Sequence, residues 1–206
     1  MKNTLFGALS LAVTLLFAPA ISASARAADA DPAAAQIQTF CDALIDTMKH
    51  GKELGVQGRY NKLKPTIEQV FDLPLMTSLV VGSSWASIPA GDQQALIAAF
   101  ERMTIANYAK NFDSFGGEKF VVDPAVQTRG VDKVVMSKFI TSGQTIPFNY
   151  RMRQSGGTWK VVDVYLNGFV SQLATKRSDF GSTLASGGAP ALIKKLNDVS
   201  DQEMKK

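Results

Sequence analysis

Hydrophobic and polar residues alternate along the second half of the chain, which predicts β-strands with one buried face. In residues 144–153 the apolar positions of this alternation are Ile146, Phe148, Tyr150 and Met152. Gly156 and Gly157 follow, and glycines readily adopt the positive φ angles of a tight turn. Residues 158–166 are apolar on nearly both faces, as in a strand inside a sheet. The pattern therefore predicts a long β-hairpin with a large hydrophobic face.

Three connections that contain glycine separate four strand candidates in this half of the chain. The candidates are residues 118–128, 131–141, 144–153 and 158–166. Successive strands with such short connections form an antiparallel meander.

Apolar residues recur every three to four positions on both sides of these strands, which predicts helices. The predicted helices span residues 32–48, 62–71, 74–81, 89–112 and 190–199, with a further helical segment after Gly168 and a break at Gly187-Gly188. Residues 50–60, with three glycines, are predicted to form a loop. The fold class is therefore α+β. We expect a curved antiparallel sheet of about four to five strands packed against several helices, an NTF2-like cone with an apolar pocket.

The first 27 residues are typical of a secretory signal peptide. Lys2 precedes an apolar segment, residues 5–18, and residues 25–27 form an A-x-A-like cleavage site. The apolar segment is too short for a membrane-spanning helix, which needs about 20 residues. The sequence therefore predicts a signal peptide at 1–27 and a single domain at 28–206.

A predicted export signal and a single cysteine together fit a protein of the bacterial periplasm. The chain has 22 basic and 18 acidic residues, and without Lys2 and Arg26 the counts become 20 and 18, so no nucleic-acid partner is indicated. One cysteine, Cys41, excludes an internal disulfide, and its place in the apolar stripe of residues 32–48 predicts a buried side chain. We therefore expect a hydrophobic core alone to hold the fold.

The sequence contains few residues that could catalyse a reaction or bind a metal. With one histidine, His50, and one cysteine, the chain lacks the ligands of a histidine- or cysteine-based zinc site. No G-x-S-x-G, G-x-G-x-x-G or Walker A pattern occurs. The sequence therefore predicts no cofactor, no metal and no catalytic residue, and it places His50 on the surface.

Asp163 is the one acidic residue that leaves two interpretations open. Strand alternation would place it on one face with Trp159, Val161 and Tyr165. A carboxylate on an apolar face would have a raised pKa and could serve as the general base of a small enzyme on an NTF2-like fold. The favoured interpretation is a buried structural pair with Arg151 or Arg177, because an unpaired buried charge is very costly.

The hairpin sequences IPFNYRM (146–152) and GTWKVVDV (157–164) resemble the MlaC / toluene-tolerance family of periplasmic phospholipid-binding proteins. Further similarities are Phe71-Asp72-Leu73, Met76, Gly82, Trp85, Tyr108, Arg177-Ser178-Asp179-Phe180 and the ending 188–196. The turn after the last strand, Asn167-Gly168-Phe169, departs from the typical pattern and is similar to the hopanoid-biosynthesis-associated HpnM branch.

This resemblance implies a lipid carrier without catalysis. The ligand would be a phospholipid or a hopanoid, and the partners an inner-membrane ABC transporter complex and an outer-membrane lipoprotein/porin complex. Together with the periodicity, it predicts a lipid-binding pocket lined by Phe71, Leu75, Met76, Leu79, Phe100, Tyr108, Phe148, Tyr150, Trp159, Tyr165 and Phe169. Basic candidates for the pocket mouth are Arg59, Lys62, Arg129 and Lys133. A protein-binding adaptor remains the alternative to a carrier.

Overall fold

The computed structural model describes residues 31–205. The predicted signal peptide, residues 1–27, lies outside the described residues. No helix within residues 31–205 combines the length and the apolar character needed to cross a membrane.

Four α-helices precede the sheet and one follows it. They are α1 (Pro32–Lys49), α2 (Gly51–Val70), α3 (Leu73–Val81), α4 (Ala90–Asn111) and α5 (Gln172–Glu203), with a 3-10 helix, Gly82–Ser87, between α3 and α4. Aspartates cap two of them: Asp31 Oδ1 accepts a hydrogen bond from Ala33 N (2.9 Å), and Asp72 Oδ1 from Leu75 N (3.1 Å). A proline in the first turn follows each cap, a combination that favours helix initiation.

The sheet contains five strands in the order in which they occur in the chain, and all neighbours are antiparallel. The strands are β1 (Lys119–Arg129), β2 (Asp132–Ile140), β3 (Thr145–Ser155), β4 (Thr158–Leu166) and β5 (Val170–Ser171). The predicted antiparallel meander and the α+β class are confirmed. The fifth strand is a two-residue addition that the alternation did not indicate.

Residues 51–60 belong to α2, so the prediction of a loop at 50–60 is wrong. The chain turns at Gly55 (φ 60°, ψ 177°) inside α2 and then continues as a helix to Val70. Gly188 (φ 63°, ψ −160°) makes a similar kink inside α5, where the sequence predicted a break. Glycine adopts such backbone angles without the steric cost that a side chain would add.

A β-bulge in β4 decides which side chains face the helices. Met152 is paired with Val161, but Arg151 is paired with Asp163, so Val162 has no partner of its own in β3. Such an extra residue reverses the alternation of side chains beyond it.

Beyond the bulge, cross-strand pairing assigns the faces of β4. Val164 is the partner of Tyr150, and Leu166 is the partner of Phe148. Cross-strand partners lie on the same face. The predicted grouping of Asp163 and Tyr165 with Trp159 and Val161 is therefore wrong.

Aromatic side chains join the helices to the sheet in the core. Phe40 of α1 is fully buried and makes edge-to-face contacts with Phe71, Tyr108 and Tyr150, with ring centroids 5.2, 5.3 and 6.2 Å away. Such pairs add roughly 0.5–1.5 kcal/mol each beyond the area they bury. The cluster holds α1, α4 and β3 against one another and forms the base on which the cavity described below is built.

Candidate functional site

A cavity of about 460 Å³ lies between α3, α4, the beginning of α5 and strands β2 to β4. Six aromatic rings form much of its wall: Phe71, Phe100, Tyr108, Phe112, Phe139 and Phe148. The remaining lining residues are Met76, Thr104, Asn107, Asn111, Ile146, Val164, Leu166, Gln172, Leu173 and Lys176. The volume is within the roughly 300–1,000 Å³ of small-molecule sites, and the wall is mainly apolar, as such sites require.

The cavity runs from a buried floor to an open mouth. Phe71, Met76 and Phe100 are buried, at 2%, 7% and 1% exposure, and form the inner end. Asn107 and Asn111 are exposed and lie two and three turns further along α4. An apolar chain that enters beside these asparagines can therefore extend toward Phe71 and Phe100.

Helical and strand periodicity explain how α4 and the sheet supply these side chains. Phe100, Thr104, Asn107 and Asn111 follow one another at spacings of three and four residues, so they share one face of α4. On the opposite wall, Val164 and Leu166 of β4 lie beside their partners in β3. The bulge at Val162 sets the orientation of Val164 and Leu166 toward the cavity.

The neutral polar groups of the lining are largely satisfied within the protein. Thr104 Oγ1 donates to Phe100 O (2.8 Å), Asn111 Nδ2 to Asn107 O (2.8 Å) and Gln172 Nε2 to Val170 O (3.3 Å). Burial raises the pKa of the Tyr108 hydroxyl, so that hydroxyl stays neutral at physiological pH. Among the described lining residues, the Asn107 amide and the Tyr108 hydroxyl are the neutral polar side-chain groups without a hydrogen bond inside the protein.

Lys176 is the charged member of the lining. Burial lowers the pKa of its ammonium group, while the carboxylates of Asp179 and Glu203 act in the opposite direction. The cavity is thus an apolar chamber with a cation in its wall.

Comparison with known proteins identifies the family. The profile of the family described as MlaC protein matches residues 38–198. The chain belongs to the MlaC family. A solved structure with the same fold is the phospholipid-binding protein from Ralstonia solanacearum, in complex with a phospholipid, with a TM-score of 0.74 at 22% sequence identity. The match covers 84% of this chain and 99% of that chain.

Five of the eleven residues predicted for the pocket of this MlaC-family chain line the cavity. They are Phe71, Met76, Phe100, Tyr108 and Phe148. The structure brings them together from α3, α4, β3 and the segment before α3. Their contact with a lipid stays a prediction.

The predicted placement is corrected for the other six, Leu75, Leu79, Tyr150, Trp159, Tyr165 and Phe169, none of which lines this cavity. Leu75 and Leu79 are half-buried on α3, one residue before and three residues after the inward-facing Met76. Tyr150 is 1% exposed and packed edge-on against Phe40 within the core.

The other three residues lie outside the cavity because of their positions in the sheet and its turns. Trp159 lies at the far end of the hairpin, with the Lys133 ammonium 4.5 Å from its ring centroid. Tyr165 faces away from the cavity because of the bulge. Phe169 is 78% exposed in the turn between β4 and β5, where Asn167 (φ 55°) and Gly168 (φ 83°) both have positive φ. Two consecutive positive φ angles define a type I′ turn, for which Asn-Gly is the typical sequence signal.

Most lining residues that the sequence interpretation missed lie next to residues that it found. The row of Phe100 along α4 leads to Thr104, Asn107 and Asn111, so helical spacing was a usable signal for these three. Val164 and Leu166 had no such signal, because uninterrupted alternation would place them on the face of Lys160, opposite Val161, and the bulge at Val162 reverses that alternation. Lys176 had none either, since a lysine on an amphipathic helix usually faces solvent.

Asp163 has a structural role with partners that differ from the predicted arginines. Ser171 Oγ donates to Asp163 Oδ2 (2.6 Å), and Leu173 N donates to Asp163 Oδ1 (3.0 Å). The Arg151 guanidinium faces Asp132 instead, with Nε 3.8 Å from Oδ2. Asp163 is not among the residues that line the cavity.

The four basic residues predicted for the mouth lie elsewhere. Arg59 is buried and donates to the backbone oxygens of Ala109 and Gly51, both at 2.6 Å. Lys62 pairs with Asp46 (2.7 Å), Lys133 pairs with Asp31 (2.6 Å), and Arg129 bonds Gln127 within β1 (3.2 Å). Lys176, which the sequence interpretation did not name, is the charged residue among the described lining residues.

Proposed function

We propose that this protein binds a phospholipid by its acyl chains inside the cavity and carries it between membrane complexes. The observation that carries this proposal is the apolar, aromatic-lined cavity of about 460 Å³. Membership of the MlaC family supports it, as does the fold shared with a protein solved in complex with a phospholipid.

Burial of hydrocarbon supplies the affinity. Each methylene group that leaves water contributes roughly 0.8 kcal/mol, so one long acyl chain contributes on the order of 10 kcal/mol. Binding of this strength needs no directional contact to the chains. Release then requires a partner that opens the cavity, because spontaneous exit would expose the same hydrocarbon to water.

The expected setting is a bacterial periplasm. Residues 1–27 would direct export and be cleaved, which leaves residues 28–206 as the carrier domain. The proposed partners are an inner-membrane ABC transporter complex and an outer-membrane lipoprotein/porin complex. A hopanoid is the alternative ligand, suggested by the similarity of residues 167–169 to the HpnM branch.

The test is native mass spectrometry of the protein purified from the periplasm, followed by organic extraction of the bound molecule. We expect a stoichiometric phospholipid. A hopanoid in the extract would show that the ligand is a hopanoid and not a phospholipid, and the proposed carrier function would stand. A ligand-free mass with no uptake from added phospholipid vesicles would overturn the carrier and favour the protein-binding adaptor.

A pair of variants ties retention to this cavity. Val164→Phe adds volume to the cavity wall, and we expect it to abolish retention in a folded protein. Leu79→Phe is the matched control, because Leu79 is half-buried on α3 outside the cavity. Equal retention by both folded variants would place the lipid elsewhere.

A further inference from the structure

Lys176 is an unpaired cation in the cavity wall. It is the one charged residue among the described lining residues, and its side chain is half-buried. Within residues 31–205, no carboxylate oxygen lies within 4.0 Å of its Nζ, and its ammonium group makes no hydrogen bond. Most lysines in the described chain that are this buried have a partner, as Lys133 does with Asp31 at 2.6 Å.

The carboxylates that act on Lys176 from a distance do not neutralise it. Asp179 lies three residues further along α5, and Glu203 lies at the end of the same helix. Glu203 Oε2 is 3.3 Å from Lys110 Nζ, so the charge of Glu203 is shared with another lysine. Taking a charge out of water without a close partner is costly. An anion that enters the cavity would remove that cost.

We propose that the Lys176 ammonium binds the phosphate of the lipid headgroup and so selects phosphate-bearing lipids over neutral lipids with the same acyl chains. This inference rests on the proposed function. The phosphate would lie at the level of Lys176 on the rim of the cavity, with the acyl chains extending toward Phe71 and Phe100.

The polar groups of the cavity lining favour a phosphate as the ligand group beside Lys176. Thr104, Asn111 and Gln172 each donate to a backbone oxygen, and the remaining donors of the described lining, the Asn107 amide and the Tyr108 hydroxyl, are neutral. Lys176 is therefore the one charged donor that the described lining offers to a ligand. A lysine binds phosphate as a point charge through short charge-assisted hydrogen bonds. A neutral headgroup would leave this cation without a partner, and the protein would then bind the neutral lipid less tightly.

The experiment compares two lipids that differ only in the headgroup. The protein, expressed from its full sequence, is delipidated and titrated with a phosphatidylglycerol and with a diacylglycerol of identical chains, each presented in the same detergent micelles. We expect the unaltered protein to bind the phosphatidylglycerol about 10- to 100-fold more tightly, the range of a hydrogen bond to a charged group. Lys176→Met, which keeps the length and removes the charge, should erase that difference and leave diacylglycerol binding at least as tight.

Two further variants separate the role of this lysine from net charge and from folding. Lys176→Arg keeps the cation and should keep the preference for phosphatidylglycerol. Lys62→Met removes the same charge from α2, outside the cavity, and should also keep the preference. A loss of preference in Lys62→Met as large as in Lys176→Met would overturn the assignment, because net charge would then explain the selectivity.

The remaining outcomes distinguish the inference from the function on which it rests. If the unaltered protein binds neither lipid, the proposed function fails. If it binds both lipids equally, and Lys176→Met does the same, the function stands and the role of Lys176 is wrong. Glycerol phosphate, which has the phosphate without acyl chains, should not bind measurably. If it binds as tightly as the lipid, Lys176 belongs to a site for free phosphate compounds.

Discussion

The Asp163 carboxylate accepts a hydrogen bond of 3.0 Å from the backbone nitrogen of Leu173, and this contact fixes the beginning of α5 against the middle of β4. Ser171 completes the arrangement: its hydroxyl donates to Asp163 (2.6 Å) and accepts from Ala174 N (3.0 Å). A carboxylate at a helix N-terminus is also favoured by the helix dipole. Because Leu173 lines the cavity, this contact positions one of its walls.

Asp163→Ala should lower the free energy of unfolding by about 2 kcal/mol, because two partly buried donors lose their acceptor. The measurement is urea denaturation followed by circular dichroism. Asp163→Asn is the matched variant, since its amide oxygen can still accept from Leu173 N, and it should lose less. An Asp163→Ala protein as stable as the unaltered one would show that the contact does not stabilise the helix.

Arg59→Leu should destabilise the protein by about 3 kcal/mol. Arg59 is 6% exposed, and its guanidinium donates to the oxygens of Gly51 and Ala109. Its removal leaves two interior carbonyl groups without this donor, and each such loss costs roughly 1–3 kcal/mol of folding free energy. Thermal unfolding measures the loss. Arg59→Lys retains the charge and should recover part of the stability, whereas equal losses in both variants would argue against the hydrogen bonds as the cause.

The Cys41 thiol should not react with thiol reagents until the protein unfolds. Burial raises the pKa of Cys41 from 9.0 to about 12, and the thiolate is the reactive form. The rate of labelling at pH 8 should follow the rate of unfolding and become fast only in denaturant. Rapid labelling of the native protein would contradict the burial.

The same shift in pKa makes stability depend on alkaline pH. The folded state keeps its thiol proton where the unfolded state loses it, so this stabilising contribution is complete below pH 9 and declines as the pH rises toward about 12. The decline should be about 1.4 kcal/mol per pH unit within that window. Cys41→Ala should lack this component of the pH dependence, and identical slopes in the two proteins would refute it.

Gly82→Ala should cost about 2 kcal/mol. Gly82 ends α3 with φ 74° and ψ −138°, a region that residues with side chains rarely adopt, and a Cβ there would come within 2.6 Å of the Arg177 guanidinium. Gly91→Ala is the control, because a Cβ at Gly91 meets nothing within 4 Å and Gly91 lies in the first turn of α4. We expect that control to be neutral or slightly stabilising, and chemical denaturation of both variants checks the difference.

The parts of the fold that local chemistry determines were predictable. Asp31 and Pro32 mark the beginning of α1, and Gly156 and Gly157 mark the turn before β4, so both elements were located within a residue. Residues 50–60 were not, because three glycines lower their intrinsic helix propensity. Their helical structure depends on long-range contacts such as the one between Arg59 and Ala109, which no local pattern reveals.

The candidate site was predictable only where one periodicity continued without interruption. Phe71, Met76, Phe100, Tyr108 and Phe148 satisfy that condition. Beyond Val162 the alternation of β4 reverses, and the prediction of an uninterrupted strand did not include that change. Lys176 was missed for a different reason: its cavity-facing position follows from how α5 packs, whereas its sequence context is that of a surface lysine.

The bulge at Val162 also bears on how this protein can diverge. On one side of it, Val161 and Met152 belong to the closely packed core, where substitutions threaten folding. On the other side, Val164 and Leu166 face the cavity, where a change in volume alters the space offered to a ligand. One strand thus contributes to the interior in two adjacent segments: substitutions before Val162 disturb the packed core, whereas substitutions after it also change the volume of the cavity.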